Sequence, residues 1–197
     1  MCIIEKMNYN EEPYPENVLE LLNHANKLSN SILEELNNSS CTKVGDLYNS
    51  INNKIIRKKE LFNQLGYFAN EISSANKNTQ PDEFKGLYIF GEEINDEVIP
   101  VYVGISRTVF RRLRQHAWGK KHNECSLAYL KTREHWREQG NSIGRSTITN
   151  EDMLTAKIKI QNYKVVLVPV LNDYDLYFLE VALAGKFKTK WNSFRTH

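Results

Sequence analysis

The sequence predicts an α/β protein of the α+β kind, in which helices flank a small, three-stranded, mostly antiparallel sheet. Two short runs of β-branched, aliphatic and aromatic residues, 86–90 and 101–105, are bounded by turn formers, as strands are. A third run, 164–170, is nearly all apolar. Much of the remaining sequence has apolar residues at steps of three and four, which is typical of amphipathic helices.

The N-terminal part of the chain is predicted to form a helical hairpin. Pro15 suits the first turn of a helix, and apolar residues recur at helical spacing as far as Leu36. After a break rich in Asn and Ser, a second helical pattern covers 47–72. Such a pair buries little apolar surface alone, so we expect it to pack on the rest of the chain or, as a homodimer, on a second copy. We therefore divide the chain into a helical accessory region, 1–80, and a second domain, 81–197.

The first two strands are predicted to pair as a hairpin with two different faces. Side chains alternate across a strand, so with the aliphatic faces turned inward Tyr88 and Tyr102 emerge together on the other side. Gly104, which has no Cβ, lets another group approach the backbone closely on that side. The acidic segment between the strands, 91–100, is interpreted as a solvent-exposed loop. The aliphatic face is predicted to contain Leu87, Ile89, Val101, Val103 and Ile105.

A basic helix is predicted directly after the second strand. Ser106 is a good N-cap for residues 107–117, whose apolar side chains form one stripe. Arg112 and His116 are four residues apart on one flank of that stripe, from where they can reach the tyrosine side of the sheet. The outward side of the helix is predicted to carry three arginines, Arg107, Arg111 and Arg114.

The stretch that follows, 119–162, is predicted to hold two further helices, near 125–136 and 151–161, on either side of a loop. Charge is concentrated here and in the preceding helix. Residues 105–146 hold ten Lys/Arg and three Asp/Glu, although the whole chain has a net charge of only +2. A local basic field on a nearly neutral protein fits a polyanionic partner.

The last predicted elements are a strand and a helix. Pro169 cannot donate to a ladder, so strand 164–170 is expected to lie at an edge or a bulge. Asn172 or Asp173 then caps a helix with an apolar stripe. Glu180 lies beside that stripe, where a carboxylate is costly unless it forms an ion pair or binds a metal.

The cysteines and the apolar runs indicate the cellular environment. Cys2, Cys41 and Cys125 are far apart, which argues for reduced thiols rather than a disulfide scaffold. The N-terminus has no apolar run long enough for a signal peptide, and no stretch approaches the ~20 apolar residues of a membrane span. We therefore expect a cytoplasmic protein with no membrane partner.

Six features follow one another along the chain: Gly86-Leu87-Tyr88, Tyr102-Val103-Gly104, Arg112, His116, Glu180 and Asn192. In this order they resemble the signature of the GIY-YIG nucleases, over roughly residues 86–192, with 119–162 as an insertion. Leu87 stands where the family usually has isoleucine. Ile105 stands where several members have lysine or a polar residue.

The resemblance implies a metal-dependent endonuclease that hydrolyses phosphodiester bonds of DNA, with Mg²⁺ as the cofactor and Mn²⁺ as the expected substitute. Tyr88 and Tyr102 would activate and position the nucleophile, with His116 relaying the proton. Arg112 would hold a non-bridging phosphate oxygen. Glu180 would complete the catalytic set as the metal ligand. A tyrosine acts as a base only if its pKa falls well below about 10, and a nearby arginine, histidine or metal is expected to lower it.

Substrate binding is assigned to residues around this set, and RNA stays open beside DNA as the partner. Asn192 is expected to orient a phosphate or to brace the site. Two alternatives stay open: a catalytically inactive nucleic-acid-binding module, and a protein-interaction module built on the N-terminal helical hairpin. The substrate-binding residues are predicted to be Gly104, Arg107, Arg111, Arg114 and Asn192.

Overall fold

The computed structural model describes residues 15, 17–72, 82–140 and 147–194. A short 3₁₀ turn, Val44–Leu47, lies between the first helix and the first strand. In chain order the elements are α1 (Val18–Asn37), β1 (Tyr48–Ile51), β2 (Lys54–Arg57), α2 (Lys59–Gln64), β3 (Glu71–Ile72), β4 (Asp82–Glu83), β5 (Gly86–Ile94), β6 (Glu97–Ser106), α3 (Val109–Trp118), α4 (Ser126–Glu138), α5 (Leu154–Gln161), β7 (Lys164–Pro169) and α6 (Asp173–Phe187).

The central sheet has the strand order β6-β5-β7 and is antiparallel throughout, as the sequence predicts. Tyr88 of the middle strand pairs with Gly104 on one side and with Leu167 on the other. Pro169 lies at the end of β7, an edge strand of this sheet, where its missing N–H removes no central ladder bond. The prediction of a mixed α/β architecture with a small three-stranded sheet is confirmed, and the described residues form two further two-stranded sheets, β1-β2 and β3-β4.

The segment predicted as an acidic loop, 91–100, is mostly strand. Both strands continue to a two-residue turn at Asn95 and Asp96, which have positive φ values of 50° and 66°. Asn and Asp tolerate this left-handed conformation, and a two-residue turn of this kind matches the twist of a hairpin. The acidic side chains at its base are paired: Glu92 accepts a 2.9 Å hydrogen bond from the hydroxyl of Tyr163.

A bulge changes the predicted face of one residue. The pairing of β5 with β6 shifts between Phe90 and Gly91, which pair with Tyr102 and Pro100 respectively, so Val101 is left over on the β6 side. An extra residue in one strand interrupts the alternation of side chains between the two faces of the sheet. Val101 therefore packs with the aromatic core instead of the aliphatic face to which the sequence assigned it.

The sheet separates two cores. The aliphatic face is covered by α1 and α6, and the aromatic face by α3, α4 and α5. Leu87, Ile89 and Val103 are fully buried in the first core, whereas Tyr88 and Phe90 are buried in the second. The two helices predicted in 119–162 are present, as α4 and α5.

The predicted helical hairpin is wrong in its second half. Helix α1 forms as expected, but 47–72 contains the hairpin β1-β2, the short helix α2 and strand β3. Asn52 and Asn53 have φ values of 49° and 60°, so they form a tight turn that reverses the chain. Gly66, with φ of 79°, then lies just beyond α2, in the conformation that commonly ends a helix. In 47–72 the apolar residues recur at helical spacing because short strands, turns and one short helix follow one another.

The described N-terminal residues pack against the sheet within the same chain. Leu36 of α1 is fully buried in the aliphatic core. Tyr48 is buried in the aromatic core, where its hydroxyl donates a 2.5 Å hydrogen bond to the carbonyl of Phe110. Residues 17–72 thus contribute to both cores and not to a seam of their own. Among the helices that the structure describes, none combines the length and the apolar character needed to cross a bilayer.

A substitution at Gly91 tests the contact between α1 and the sheet. A Cβ at this position would lie 2.5 Å from Cγ1 of Val98 and 3.0 Å from Cδ2 of Leu36. We expect Gly91→Ala to lower the free energy of unfolding by about 1–3 kcal/mol, because a β-branched neighbour and a buried leucine must both move. Urea denaturation measures this.

The control is Gly185→Ala in α6, where an added Cβ has nothing within 4 Å. Because alanine is the better helix former, we expect this variant to gain roughly 0.5–1 kcal/mol. Equal effects of the two substitutions would contradict the close packing at Gly91.

Candidate active site

The basic helix begins two residues later than the sequence predicts. The Ser106 hydroxyl accepts a 2.9 Å hydrogen bond from the N–H of Thr108, which forms a turn before the helix. The first helical N–H, that of Val109, donates to the carbonyl of Phe84 at 2.9 Å. This bond fixes the start of α3 against the entry to β5, so the helix lies across the aromatic face of the sheet.

Tyr88 joins the sheet to this helix. Its ring occupies the space that a side chain at position 104 would need, since a Cβ on Gly104 would overlap the phenol ring. The close approach predicted at Gly104 is thus made by Tyr88. The Tyr88 hydroxyl lies 2.9 Å from Nε2 of His116, and both residues are fully buried.

Burial sets the protonation of this pair. It raises the pKa of Tyr88 well above its usual value, and the nearby Tyr102 raises it further, while Arg112 acts in the opposite direction. Burial also lowers the pKa of His116 well below its usual value, and the charge of Arg112 lowers it further. The expected fall in tyrosine pKa is therefore wrong for this state of the protein, because desolvation outweighs the arginine. At neutral pH the pair is a phenol and a neutral imidazole.

Tyr102 faces outward from the same cluster. Its ring centroid lies 6.0 Å from that of Tyr88 and 5.5 Å from that of His116. Tyr88 and the Arg112 guanidinium lie close enough to its hydroxyl to lower its pKa. Burial raises its pKa, Arg112 lowers it, and the negative charge of Glu180 raises it. Tyr102 thus connects the buried pair to the two charged groups.

Arg112 is held by the loop that leads into α4. Nη1 donates to the carbonyl of Glu124 at 2.6 Å, and Nη2 donates to the hydroxyl of Ser126 at 3.1 Å. The Glu124 carboxylate in turn accepts the backbone N–H groups of Lys120 and Lys121, at 3.0 and 3.2 Å. The Glu124 carboxylate thus holds the two ends of the loop 120–124 together, next to the guanidinium that the loop binds. Sequence analysis missed Glu124 and Ser126, because one contact uses a backbone carbonyl and the other a serine with no motif around it.

Asn192 seals the free edge of β6. Its side-chain oxygen accepts the N–H of Val103 at 2.9 Å, and its side-chain nitrogen donates to the Val103 carbonyl at 2.7 Å. The hydroxyl of Thr189 donates to the same oxygen at 2.9 Å. The amide therefore imitates a neighbouring strand over one residue. Of the two expectations for Asn192, this geometry favours bracing the site over orienting a phosphate.

Glu180 reaches the tyrosines around this edge. Helix α6 packs on the aliphatic face, but Glu180 on its flank lines a cavity of about 270 Å³ that Tyr102 also lines. The remaining lining residues come from α4 and from the segment after α6. They are Ser126, Leu130, Trp191, Asn192, Ser193 and Phe194.

The carboxyl group of Glu180 is half-buried and raised in pKa. Burial raises its pKa from 4.5 to about 7. Among the residues that the structure describes, no cation forms an ion pair with it, and no group of three or more potential metal-ligating His, Cys, Asp or Glu residues occurs. A single carboxyl group thus faces the cavity without an ion-pair partner among the described residues, and burial favours its protonated form.

The three outward arginines are not equivalent. Arg107 precedes α3 and forms an ion pair with Asp173, which also pairs with the buried Lys85 at 3.0 Å. Arg111 and Arg114 lie on α3 and are exposed, as predicted. Arg114 donates from Nη1 to the carbonyl of Ile55 at 3.5 Å, whereas Arg107 helps to hold the start of α6.

The structure thus brings Tyr88, Tyr102, Arg112, His116 and Glu180 together from two strands and two helices. Comparison with known proteins gives no match: no family model, no curated protein and no solved structure is similar to this chain. Any functional assignment therefore rests on the residues themselves.

We expect the Glu180 carboxyl to titrate near pH 7 in the folded protein. Because the folded state keeps a proton that the unfolded state releases above about pH 4.5, the free energy of unfolding should fall as the pH rises from 4.5 through 7. Glu180→Gln should remove that part of the pH dependence. The measurement is a ¹³C NMR titration of the side-chain carboxyl groups, combined with urea denaturation of both proteins at several pH values. A Glu180 midpoint near 4.5 would contradict the desolvation of this group.

Proposed function

We propose that the chain is a metal-dependent nuclease of the GIY-YIG type that hydrolyses phosphodiester bonds. The observation that carries the proposal is that Tyr102 and Glu180 line one cavity, and that Tyr102 packs against Tyr88 and His116 with Arg112 nearby. Tyr88 and Glu180 are nearly a hundred positions apart in the sequence, and packing alone does not require their polar groups to approach the same place. The agreement of this cluster with the order of residues in the family signature supports the assignment.

Arg112 is suited to the phosphate. Its guanidinium keeps a fixed orientation because the loop carbonyl of Glu124 and the hydroxyl of Ser126 hold it. A planar cation fixed before the substrate arrives can stabilise the charge that develops on the phosphate oxygens without reorganising during the reaction. Ser126, which accepts from the guanidinium, lines the cavity together with Tyr102, so Arg112 lies behind the cavity wall.

Tyr102 is the tyrosine that would meet the attacking water, because it lines the cavity while Tyr88 is buried behind it. Hydrolysis forms a bond between the water oxygen and phosphorus and breaks the bond to the leaving sugar oxygen, which gains a proton from solvent. Tyr102, which burial keeps in its phenol form, would orient the water through its hydroxyl oxygen, and the proton that the water loses would pass to solvent. Arg112 already lowers the pKa of Tyr102, and neutralising Glu180 would remove one cause that raises it.

Tyr88 and His116 act as support for that step. Neutral His116 shares a 2.9 Å hydrogen bond with the Tyr88 hydroxyl through Nε2, and Tyr88 in turn lies beside Tyr102 and Arg112. This arrangement fixes the orientation of both phenols. The lowered pKa of His116 makes it a weak base, so its role is to position Tyr88 and not to accept a proton.

Glu180 fits the expected Mg²⁺ site. One carboxylate that forms no ion pair with the cations the structure describes, facing a cavity with room for water, suits an ion that keeps much of its hydration. When bound, Mg²⁺ would act as a Lewis acid and stabilise the leaving oxygen. Mn²⁺ is expected to substitute. DNA is the proposed substrate, with RNA as the alternative polyanion, since the exposed Arg111 and Arg114 contact backbones that both nucleic acids share.

We expect the protein to nick supercoiled plasmid DNA in the presence of Mg²⁺ and Glu180→Gln to abolish this activity. Arg112→Lys keeps the charge but loses the rigid fork, so we expect its rate to fall by a factor on the order of 10². The double variant should be nearly as active as the slower single variant, because residues that act as a unit are not additive. Rates are measured by conversion of supercoiled to open-circular plasmid, and folding of each variant is checked by thermal unfolding.

Glu97→Gln is the matched control, since Glu97 lies in the acidic hairpin and is exposed. It should cleave at the rate of the unmodified protein. Full cleavage by Glu180→Gln would end the nuclease proposal. Retained DNA binding with no cleavage by any form would instead indicate the inactive nucleic-acid-binding module.

Charge reversal at Arg111 and Arg114 should weaken DNA binding without unfolding the protein. Each lost phosphate contact should reduce the slope of log K against log salt by roughly 0.9 on duplex DNA. Arg107 is left unchanged because its ion pair with Asp173 supports the fold. Fluorescence anisotropy at several salt concentrations measures the slope. The charge-matched control is the double variant Lys27→Glu and Lys186→Glu, on α1 and α6, which should keep the slope of the unmodified protein. An equal fall of the slope in the arginine variant and in this control would show that the DNA does not bind at Arg111 and Arg114.

A further inference from the structure

The cavity beside Glu180 has an apolar side that phosphate chemistry does not explain. Leu130, Trp191 and Phe194 line it together with the polar residues. A metal ion, water and a phosphate are all strongly hydrated and gain nothing from apolar walls. Apolar and aromatic groups around a few polar ones are instead typical of a site that binds a small organic group.

Phe194 is the most informative of these residues. Its side chain is 53% exposed and belongs to neither core. Single exposed aromatic residues are common, and Phe68 is another at 62%. Phe194 differs because it lines the same cavity as the glutamate and the outer tyrosine of the candidate site. Its ring therefore offers an open aromatic surface next to the place where a phosphate would react.

Trp191 contributes a second aromatic ring to the same wall. Its backbone N–H donates to the carbonyl of Val101 at 3.3 Å, which ties it to the edge of the sheet. Lys131 and Lys190 contact the ring of Trp191, but they line a neighbouring cavity and pair with Glu92 and Glu134. The wall of the Glu180 cavity therefore offers aromatic surface, on which a base can stack.

The size of the cavity limits what can enter. Its volume of about 270 Å³ is just below the roughly 300 Å³ at which small-ligand sites begin. It can take one nucleobase but not a base pair. A base inside a duplex is stacked on both sides, so it enters such a pocket only if it is already unpaired or is turned out of the helix, which costs a few kcal/mol.

We propose that this cavity binds the nucleobase next to the scissile phosphate, stacked on Phe194, and that the substrate is a nucleic acid with an unpaired nucleotide at that position. The proposal rests on the proposed nuclease function for the reaction, but the binding of a base is a separate property. The same recognition serves a single strand, a strand end or a bulge in a duplex.

Binding is tested in the Glu180→Gln protein with Mg²⁺, so that no cleavage intervenes. The probes are three fluorescein-labelled DNA duplexes of one sequence: fully paired, with one bulged thymidine, and with a bulged abasic nucleotide. Stacking of one base contributes enough to change affinity by about tenfold or more. We expect the bulged thymidine to bind at least that much tighter than the bulged abasic site. Phe194→Ala should abolish this difference, while the control Phe68→Ala should retain it.

Equal affinity for thymidine and abasic bulges, or a difference that survives Phe194→Ala, would overturn the base pocket. The cleavage arm uses the same duplexes with Glu180 intact. Base-dependent binding without cleavage would leave the pocket standing and remove the nuclease proposal. Cleavage at the same rate with and without the unpaired base would instead support the nuclease proposal and remove the base pocket. The failure of one proposal can therefore be distinguished from the failure of the other.

Discussion

The packing of Tyr88 against Gly104 is the constraint on which the candidate site depends. The tyrosine belongs to the middle strand and the glycine to the edge strand, and the ring fits only because position 104 has no Cβ. The hydroxyl then meets His116 of α3 at 2.9 Å. One side chain thus sets the distance between the sheet and the helix. Every other group of the cluster takes its place relative to that contact.

The free edge of β6 provides the second half of the arrangement. Glu180 belongs to a helix on the aliphatic face, and the tyrosines lie on the aromatic face, so their meeting requires a route around the sheet. The edge strand provides it, and Asn192 satisfies the exposed N–H and carbonyl of Val103 that would otherwise be open to another strand. The same short segment carries Trp191 and Phe194 to the mouth of the cavity. The segment that closes the edge of β6 therefore also forms the apolar wall of the cavity.

Desolvation dominates the electrostatics of the cluster. Burial raises the pKa of Tyr88, lowers that of His116 and raises that of Glu180 to about 7, and in each case it is the largest cause. All three groups are therefore shifted towards their neutral forms. Of the three, only Glu180 titrates near neutral pH, because its raised pKa is about 7.

The sequence by itself determined the three strands of the central sheet, the order of the site residues and the amphipathic helices α1, α3 and α6, because alternation and helical periodicity are local properties. It failed at 47–72, where strands separated by an Asn-Asn turn imitate a helical period, and at Val101, where a bulge breaks the alternation. The tertiary structure alone decided that Glu180 reaches Tyr102 around the sheet edge, and that Arg112 is held by a loop carbonyl. These contacts join residues through backbone groups and burial, and neither leaves a pattern in the sequence.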